Sequence, residues 1–270
     1  MKHLTKLDLM DVSFLIPVRI DSLSRLENLE IVVKYLNKYF NTHVLVMEVD
    51  EQSKISEVIK ENSDYTFRLS RTSIFRRTEI NNTLIHSCKT PIAVLYDSDI
   101  VISPFQLFQA VKQIRSKQHA FSLPYDGRFL QVDYYNKRIF KKCIRIDFLS
   151  SGINQYSIDT NHSLGGCFMF DVLEYKKTGL ENEHIEGWGH DDAERIKRIQ
   201  KLDYVVYRPE GPLYHLWHER GDNSFFFDEK RERKSYETYF RTCSISRKEI
   251  EHDIKSWSWI QSDKIIKFDD

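Results

Sequence analysis

An unbroken apolar run, Ile92 to Tyr96, ends abruptly in Asp97-Ser98-Asp99. A run so short and so apolar reads as a strand covered on both faces, and such strands belong to sheets flanked by helices. The rest of the first half repeats the theme. Val12 to Val18 is a second compact apolar run, with Pro17 near its end. Asp21 or Ser22 then caps a helix whose apolar residues fall at Leu26, Leu29, Val33 and Leu36. His43 to Val49 predicts a strand, residues 52–61 a polar helix, and Tyr65 to Leu69 a short strand. Residues 74–88 read as helical, Pro104 opens a helix at its first turn, and Ala120 to Tyr125 predicts a further strand. Strands alternating with helices imply βαβ units and a mostly parallel, Rossmann-like central sheet of the α/β class. Ligands in such sheets bind beyond the carboxyl ends of strands. Three places qualify: the turn after Val18, the residues after Val49, and Asp97-Ser98-Asp99.

The second half is less regular. Residues 126–163 are rich in Tyr, Lys, Arg and Ser and show no clear period. A Gly-Gly strand follows (Leu164 to Phe170), then a Gly-Trp-Gly loop, a helix from about Asp191 to Lys201, and a strand from Tyr204 to Tyr207. From about Phe225 the chain is highly charged and reads as helical, with a solvated face. No internal repeat or low-complexity linker divides the chain.

Composition narrows the function classes. The 270 residues are 41% hydrophobic, ample for a buried core. Lys+Arg and Asp+Glu both number 40, so no global field draws the chain onto nucleic acid. Cys88, Cys143, Cys167 and Cys243 are widely separated and form no CxxC pair, which excludes a zinc site of the usual spacing and fits a reducing compartment. The apolar part of the N-terminus is broken by Asp8 and Asp11 and lacks a small-residue cleavage site, so it does not read as a signal peptide. No run approaches the length that spans a bilayer. The expectation is a soluble, cytoplasmic protein, with room for work beside a membrane that displays its substrate.

Four groups of residues carry chemistry. Asp97 and Asp99, two apart on a turn leaving a sheet, can address one hard divalent cation such as Mn²⁺ or Mg²⁺. Turn-forming aspartates have the same pattern. His215 and His218 flank Trp217, and either can complete a metal site or sit as an ordinary satisfied histidine. Glu186-Gly187-Trp188-Gly189-His190-Asp191-Asp192 offers a flat indole face for a sugar ring and two carboxylates at a helix start. One of these carboxylates suits the helix dipole, and a partly desolvated one can take a proton from a hydroxyl. Arg71 and Phe75-Arg76-Arg77-Thr78 with Asn81 supply guanidinium groups that clamp diphosphates, or else line a solvated helix.

Taken in order, these motifs resemble the GT-A glycosyltransferases of the β-1,4-galactosyltransferase type. Relatives include the polypeptide N-acetylgalactosaminyltransferases and bacterial capsule or chondroitin-type polymerases. The resemblance covers about residues 12 to 223. Ile16-Pro17-Val18-Arg19 looks like the first-strand motif that meets the nucleotide, and Phe75-Arg76-Arg77-Thr78 with Asn81 is similar to the helix contacting uridine and phosphate. Tyr96-Asp97-Ser98-Asp99 looks like the metal-binding DxD, and Gly165-Gly166 like the Gly-Gly before the donor-sugar pocket. Gly187 to Asp192 is similar to the Gly-Trp-Gly-Gly-Glu-Asp loop, with His190 in place of the second Gly and Asp191 in place of Glu.

The resemblance implies a GT-A fold with a catalytic domain at 1–224. Its nucleotide-binding half would span 12–103, its acceptor and donor-sugar half 104–224, and a charged helical extension 225–270. It implies Asp192 as catalytic base and Trp188 and Asp191 as acceptor-binding residues. Pro17, Arg19, Asp21, Phe75, Arg77, Asn81, Asp97, Gly166 and Trp188 would bind the donor. Asp99 and His215 would hold Mn²⁺ or Mg²⁺, with Asp97 reaching the ion or the ribose and His218 competing for the histidine role. The implied reaction is inverting transfer of a hexose or N-acetylhexosamine from a UDP-sugar to a glycan or lipid-linked oligosaccharide, as in surface polysaccharide synthesis. Two alternatives use the same residues. A haloacid-dehalogenase-type phosphohydrolase would use Asp97 as nucleophile, and a carbohydrate-binding protein would use Trp188 without catalysis. A nucleotidyltransferase would need a Gly-rich loop after the first strand, which Ile16 to Asp21 lacks.

Overall fold

The computed structural model describes residues 5–221, 225–226 and 228–260. The expected domain and extension limits at 1–4, 222–224, 227 and 261–270 lie outside the described residues. The main sheet has seven strands in the order β10-β6-β9-β4-β1-β2-β3. In its interior lies β1 (Leu7–Val18), parallel to β2 (Phe40–Asp50) on one side and to β4 (Ile92–Tyr96) on the other. Phe14, Leu15 and Ile16 are consecutive and fully buried, which requires cover on both faces. β3 (Asp64–Leu69) extends the parallel order beyond β2. β9 (Cys167–Asp171) enters antiparallel between β4 and β6 (Phe121–Ser122), and β10 (Val206–Tyr207) closes the edge. The expected mostly parallel α/β sheet is therefore present, with β9 as its exception.

Helix α1 (Leu23–Tyr39) is capped by Ser22, whose hydroxyl accepts from the Arg25 N–H at 3.2 Å. Its buried stripe, including Leu29, Val32, Val33 and Leu36, faces the sheet. α2 is only Glu57–Glu61. α3 starts at Arg77 and runs to Ser87, later than the predicted start at 74. The Thr72 hydroxyl accepts from the Ile74 N–H at 3.0 Å and holds a turn there instead of a helix. α4 (Pro104–Arg115) has its proline in the first turn as expected. The predicted strand 120–125 stops at Ser122, because Pro124 has no N–H for the ladder.

The aperiodic segment 126–163 contains two of the four strands of a second sheet. β5 (Ile100–Ile102), β11 (Leu213–Leu216), β7 (Phe129–Val132) and β8 (Ser157–Thr160) lie in the order β5-β11-β7-β8. Between β7 and β8 sit α5 (Tyr134–Cys143) and α6 (Ile146–Ser151). α7 (Val172–Lys177) follows β9, and α8 (Asp191–Lys201) follows the Gly-Trp-Gly loop. The charged C-terminal stretch forms α9 (Glu229–Ser244) and α10 (Arg247–Ser256). It is not a freely solvated arm. α9 packs along α8, and the Thr242 hydroxyl donates to Glu194 at 3.0 Å. Beyond α10, Trp257 and Trp259 stack at 4.9 Å, and the Trp259 indole N–H donates to the Gly179 carbonyl at 3.1 Å. Among the described residues no helix is long and apolar enough to cross a membrane.

Candidate active site

The carboxyl ends of β1 and β4 open onto a cleft of about 680 Å³. Its walls include Pro17, Val18 and Arg19 after β1, Asp97, Ser98 and Asp99 after β4, and Phe75 and Arg77 at the start of α3. Two of the three strand ends marked by the sequence therefore meet here. The residues after Val49 are not on the wall. Instead the Val49 carbonyl accepts from Arg19 Nε at 3.0 Å and aims that guanidinium, which also lies over the Phe75 ring at 5.6 Å.

Asp99 and His215 are far apart in sequence, and sheet pairing brings them together. Asp97-Ser98-Asp99 leads directly into β5, which pairs antiparallel with β11 so that Ile100 faces His215. The Leu216 N–H donates to the Asp99 carbonyl at 2.7 Å, fixing the register. His215 faces the cleft while Leu216 is fully buried, as alternation along a strand requires. His218 Nε2 lies 3.2 Å from Asp99 Oδ2, and His215 Nε2 lies 3.7 Å from Asp99 Oδ1. One donor atom from each of these three residues falls within 4.8 Å of the others.

The far side of each imidazole decides what the near side can do. His218 Nδ1 is 2.8 Å from the Glu219 backbone carbonyl, which can only accept, so Nδ1 carries the proton. His215 Nδ1 is 2.7 Å from Gln131 Oε1, the partner across β7 and β11. Both Nε2 atoms thereby face the Asp99 carboxylate, where an imidazole can share a cation with it or hydrogen-bond to it. Burial, more than any other influence, holds His215 below the usual histidine range and hence neutral. Burial pushes Asp99 up, but the two histidines and Arg25 outweigh it and hold Asp99 well below the usual carboxylate range. His215 and His218 thus both stand beside Asp99, in a group of three that could hold a metal ion.

Arg25 is a residue that motif reading missed. It sits in the first turn of α1, where an arginine looks like any solvated helix position. Its Nη1 is 3.1 Å from Asp99 Oδ2, and its Nε donates to Asp21 at 2.9 Å. Asp21, expected among the donor contacts, is off the cleft wall and orients Arg25 instead. Gln131, Asp159 and Trp217 also line the cleft. The first two lay in the segment without period and gave no signal.

The opposite wall is organised by Arg77. Its Nε and Nη2 donate to Asp191 Oδ2 at 2.9 and 2.6 Å, Nη2 reaches Asp192 Oδ2 at 2.8 Å, and Nη1 reaches Asp97 Oδ1 at 3.4 Å. Asp192 is held from its other side by Arg195 at 2.8 Å. Burial raises Asp191 to about 6, and burial with Asp99 nearby raises Asp97 to about 7, each against the pull of Arg77. Burial also works against ionisation of Asp192, but Arg77 and Arg195 outweigh it and hold Asp192 below the usual range. The two acids at the α8 N-terminus differ in access, since the Asp191 side chain is 2% exposed and that of Asp192 25%. Asp191, expected to hold the acceptor, is buried behind Arg77 and off the cleft wall.

Asn81, also expected at the donor, lies in a small recess with Gly166 and Asp192 that shares Pro17, Arg77 and Asp97 with the cleft. Gly166 has φ +83°, a conformation open to glycine, and its carbonyl accepts from the Asp97 N–H at 2.9 Å. A side chain at Gly165 would come within 2.6 Å of Asp192 Oδ2. Trp188 is on the cleft wall, half exposed, with Phe226 edge-on at 4.8 Å. His190, the departure from the familiar loop, points elsewhere. Its N–H donates to the Ser235 hydroxyl of α9 at 2.9 Å, and its ring packs 4.1 Å from Tyr236.

A family model described as the N-terminal domain of galactosyltransferase matches residues 137–219, a segment holding Gly165-Gly166, the Trp188 loop, Asp192 and both histidines. No curated protein matches the chain by sequence. Among solved structures, it is similar to glucosyl-3-phosphoglycerate synthase from Mycobacterium tuberculosis in complex with Mn²⁺, UDP and phosphoglyceric acid. That likeness has a TM-score of 0.53 at 12% identity, covering 87% of this chain and 78% of that one. It is also similar to the mannosyltransferase PcManGT from Pyrobaculum calidifontis in complex with GDP-Man and Mn²⁺. There the TM-score is 0.50 at 13% identity, covering 94% and 70% of the two chains. Likeness at such identities establishes the fold, which is GT-A. Together with the galactosyltransferase-type segment it defines the class that the chain resembles, the glycosyltransferases of the GT-A type.

Proposed function

We propose that the chain transfers a hexose or N-acetylhexosamine from a UDP-sugar to a glycan acceptor with inversion, in surface polysaccharide synthesis. One observation carries this reading: Asp99, His215 and His218 converge on one point at the carboxyl edge of the sheet, beside an arginine-lined cleft. One carboxylate and two imidazole nitrogens suit a borderline ion such as Mn²⁺ better than Mg²⁺, which prefers oxygen alone. When bound, the ion supplies positive charge that stabilises the leaving diphosphate. Arg19 and Arg25 add fixed positive charge to the cleft wall. Pro17 and Phe75 form the apolar flank where the base would lie, and Trp188 offers an exposed indole face to the sugars.

Of the two acids at the start of α8, Asp192 is the more exposed and lines the recess that adjoins the cleft, and we assign it the proton from the acceptor hydroxyl. Asp191 then orients Arg77, which in turn fixes Asp192. In this reading residues 12–103 form the nucleotide half and 104–224 the sugar and acceptor half. The phosphohydrolase alternative falls with the fold, since Asp97 follows an interior βα unit and its carboxylate faces Arg77. The test is a panel of nucleotide sugars with Mn²⁺, monitored for UDP release and thermal stabilisation. Stabilisation and turnover with a UDP-sugar are expected. Failure of every UDP-sugar to stabilise the protein or release UDP would remove the reading.

A further inference from the structure

We propose that an aromatic track leading out of the cleft, formed by Trp217, Tyr134 and Tyr135, binds an anionic glycan chain. The inference rests on the transfer reading for its purpose, but on different residues. Trp217 lines the cleft, and the Tyr134 ring meets it edge-on with 5.3 Å between centroids. Tyr135 meets Tyr134 in the same manner at 5.6 Å. Three rings therefore continue, step by step, from the cleft wall onto the surface of α5. Tyr134 and Tyr135 stay 41% and 76% exposed. Neither helix propensity nor core packing asks for two aromatic rings in solvent at the first turn of a helix.

The track is rigid at its inner end. The Trp217 N–H donates to the Val132 carbonyl at 3.0 Å, and the Trp217 carbonyl accepts from Lys137 Nζ at 3.0 Å and Asn28 Nδ2 at 3.3 Å. Lys137 is wholly buried, so this anchor is part of the interior. At the outer end Asp133 caps α5 by accepting from the Tyr135 and Asn136 N–H groups at 2.8 and 3.0 Å. Preorganised aromatic faces are what a pyranose ring stacks against, because its axial C–H groups form a flat apolar surface. The ring-to-ring steps are on the scale of successive sugars in a chain.

Charge selects among glycans. Arg138 lies over the Tyr134 ring at 5.8 Å, and Lys142 follows one turn later on the same helix. Both are exposed, and among the described residues neither has a carboxylate partner. By contrast Lys141 pairs with Glu27 at 2.8 Å. Unpaired cations beside stacking rings fit a chain bearing carboxylates. An anionic bilayer would use the same charges, but continuity with the cleft favours a chain that threads into it.

The experiment is native affinity electrophoresis through gels containing hyaluronan, a uronate polymer, or neutral dextran. Each protein is also tested for thermal stabilisation by UDP with Mn²⁺. Wild type is expected to be retarded by hyaluronan and little by dextran. Tyr135→Ala is expected to weaken retardation about tenfold, the scale that loss of one aromatic face has for a stacked nucleobase, and Arg138→Gln about threefold, with stabilisation by UDP and Mn²⁺ unchanged in both. Absence of retardation in wild type, equal retardation of Tyr135→Ala, or equal retardation by dextran would overturn the proposal. So would Tyr135-dependent sedimentation with phosphatidylglycerol vesicles in place of glycan binding. Loss of UDP stabilisation with Tyr135-dependent retardation intact would instead remove the transfer reading and leave the track standing.

Discussion

Two acidic clusters lie beside one cleft, and they are balanced in opposite ways. Around Arg77, three carboxylates share one guanidinium, and Arg195 supplies a second cation at 2.8 Å from Asp192. That cluster closes on itself. Around Asp99, Arg25 is the one guanidinium partner among the described residues, while two imidazole Nε2 atoms face the carboxylate from 3.2 and 3.7 Å. That cluster has room to share a further cation. The difference separates a framework that positions acids from a group that could hold an ion, although both began as aspartates near strand or helix ends.

The largest expected effect breaks the open cluster. Asp99→Asn keeps the shape but removes the charge, and metal contributions to such reactions amount to several kcal/mol. Turnover of the UDP-sugar should fall about 10³-fold or more. EDTA should abolish turnover in wild type and added Mn²⁺ restore it. If Asp99→Asn kept wild-type turnover, the contrast between the clusters would have no functional content. Next comes the closed cluster. Asp192→Asn should lower kcat at least about a hundredfold, the scale of general base catalysis, while leaving stabilisation by UDP and Mn²⁺ intact. Equal loss of donor binding would mean that Asp192 serves the Arg77 framework and not the acceptor. A smaller effect sharpens the role of His215. Gln131→Ala removes the acceptor that fixes its tautomer, and such supporting residues are worth about 10–100-fold in metal affinity. A titration of activity against Mn²⁺ should move by that factor at nearly constant maximal rate.

The closed cluster and the open one were not equally legible in the sequence. Asp97-Ser98-Asp99 could be found because an unbroken apolar strand points at it, and strand-end logic needs only local pattern. The Asp191-Asp192 pair could be found because a glycine-flanked loop precedes a helix start. What could not be found were the partners supplied by long-range pairing. Arg25 lies on an ordinary amphipathic helix, and nothing local says that its first turn ends beside β4. Gln131 sits on β7, whose four residues are too few for a period, in a segment crowded with Tyr, Lys and Arg. The second sheet was invisible for the same reason, since its short strands are held by β11 and β5 more than by their own alternation. Asp21 and Asp191 were seen as acids but given ligand-facing roles, because a single chain does not reveal which arginine a carboxylate will meet.

The smallest effect probes how the closed cluster is held from beneath. Arg195 joins Asp192 to Glu181, donating to Glu181 from Nε at 2.6 Å and from Nη2 at 2.8 Å, and the Tyr175 hydroxyl completes the buried group. Burial pushes Glu181 up, but Arg195 outweighs it and holds Glu181 below the usual glutamate range. Asp192 is lowered in the same way by Arg77 and Arg195. A carboxylate whose native value is depressed adds stability above its unfolded value and loses it as pH falls through the native one. Each unit of depression is worth about 1.4 kcal/mol. The protein should therefore lose thermal stability as pH falls below the ordinary glutamate range, and Glu181→Gln should lose less of its own over the same interval. Thermal unfolding of both proteins between neutral and acidic pH should show their melting temperatures converging as pH falls. A constant gap would mean that Glu181 contributes through shape alone, and that the charges around Arg195 do not brace the wall carrying Asp192.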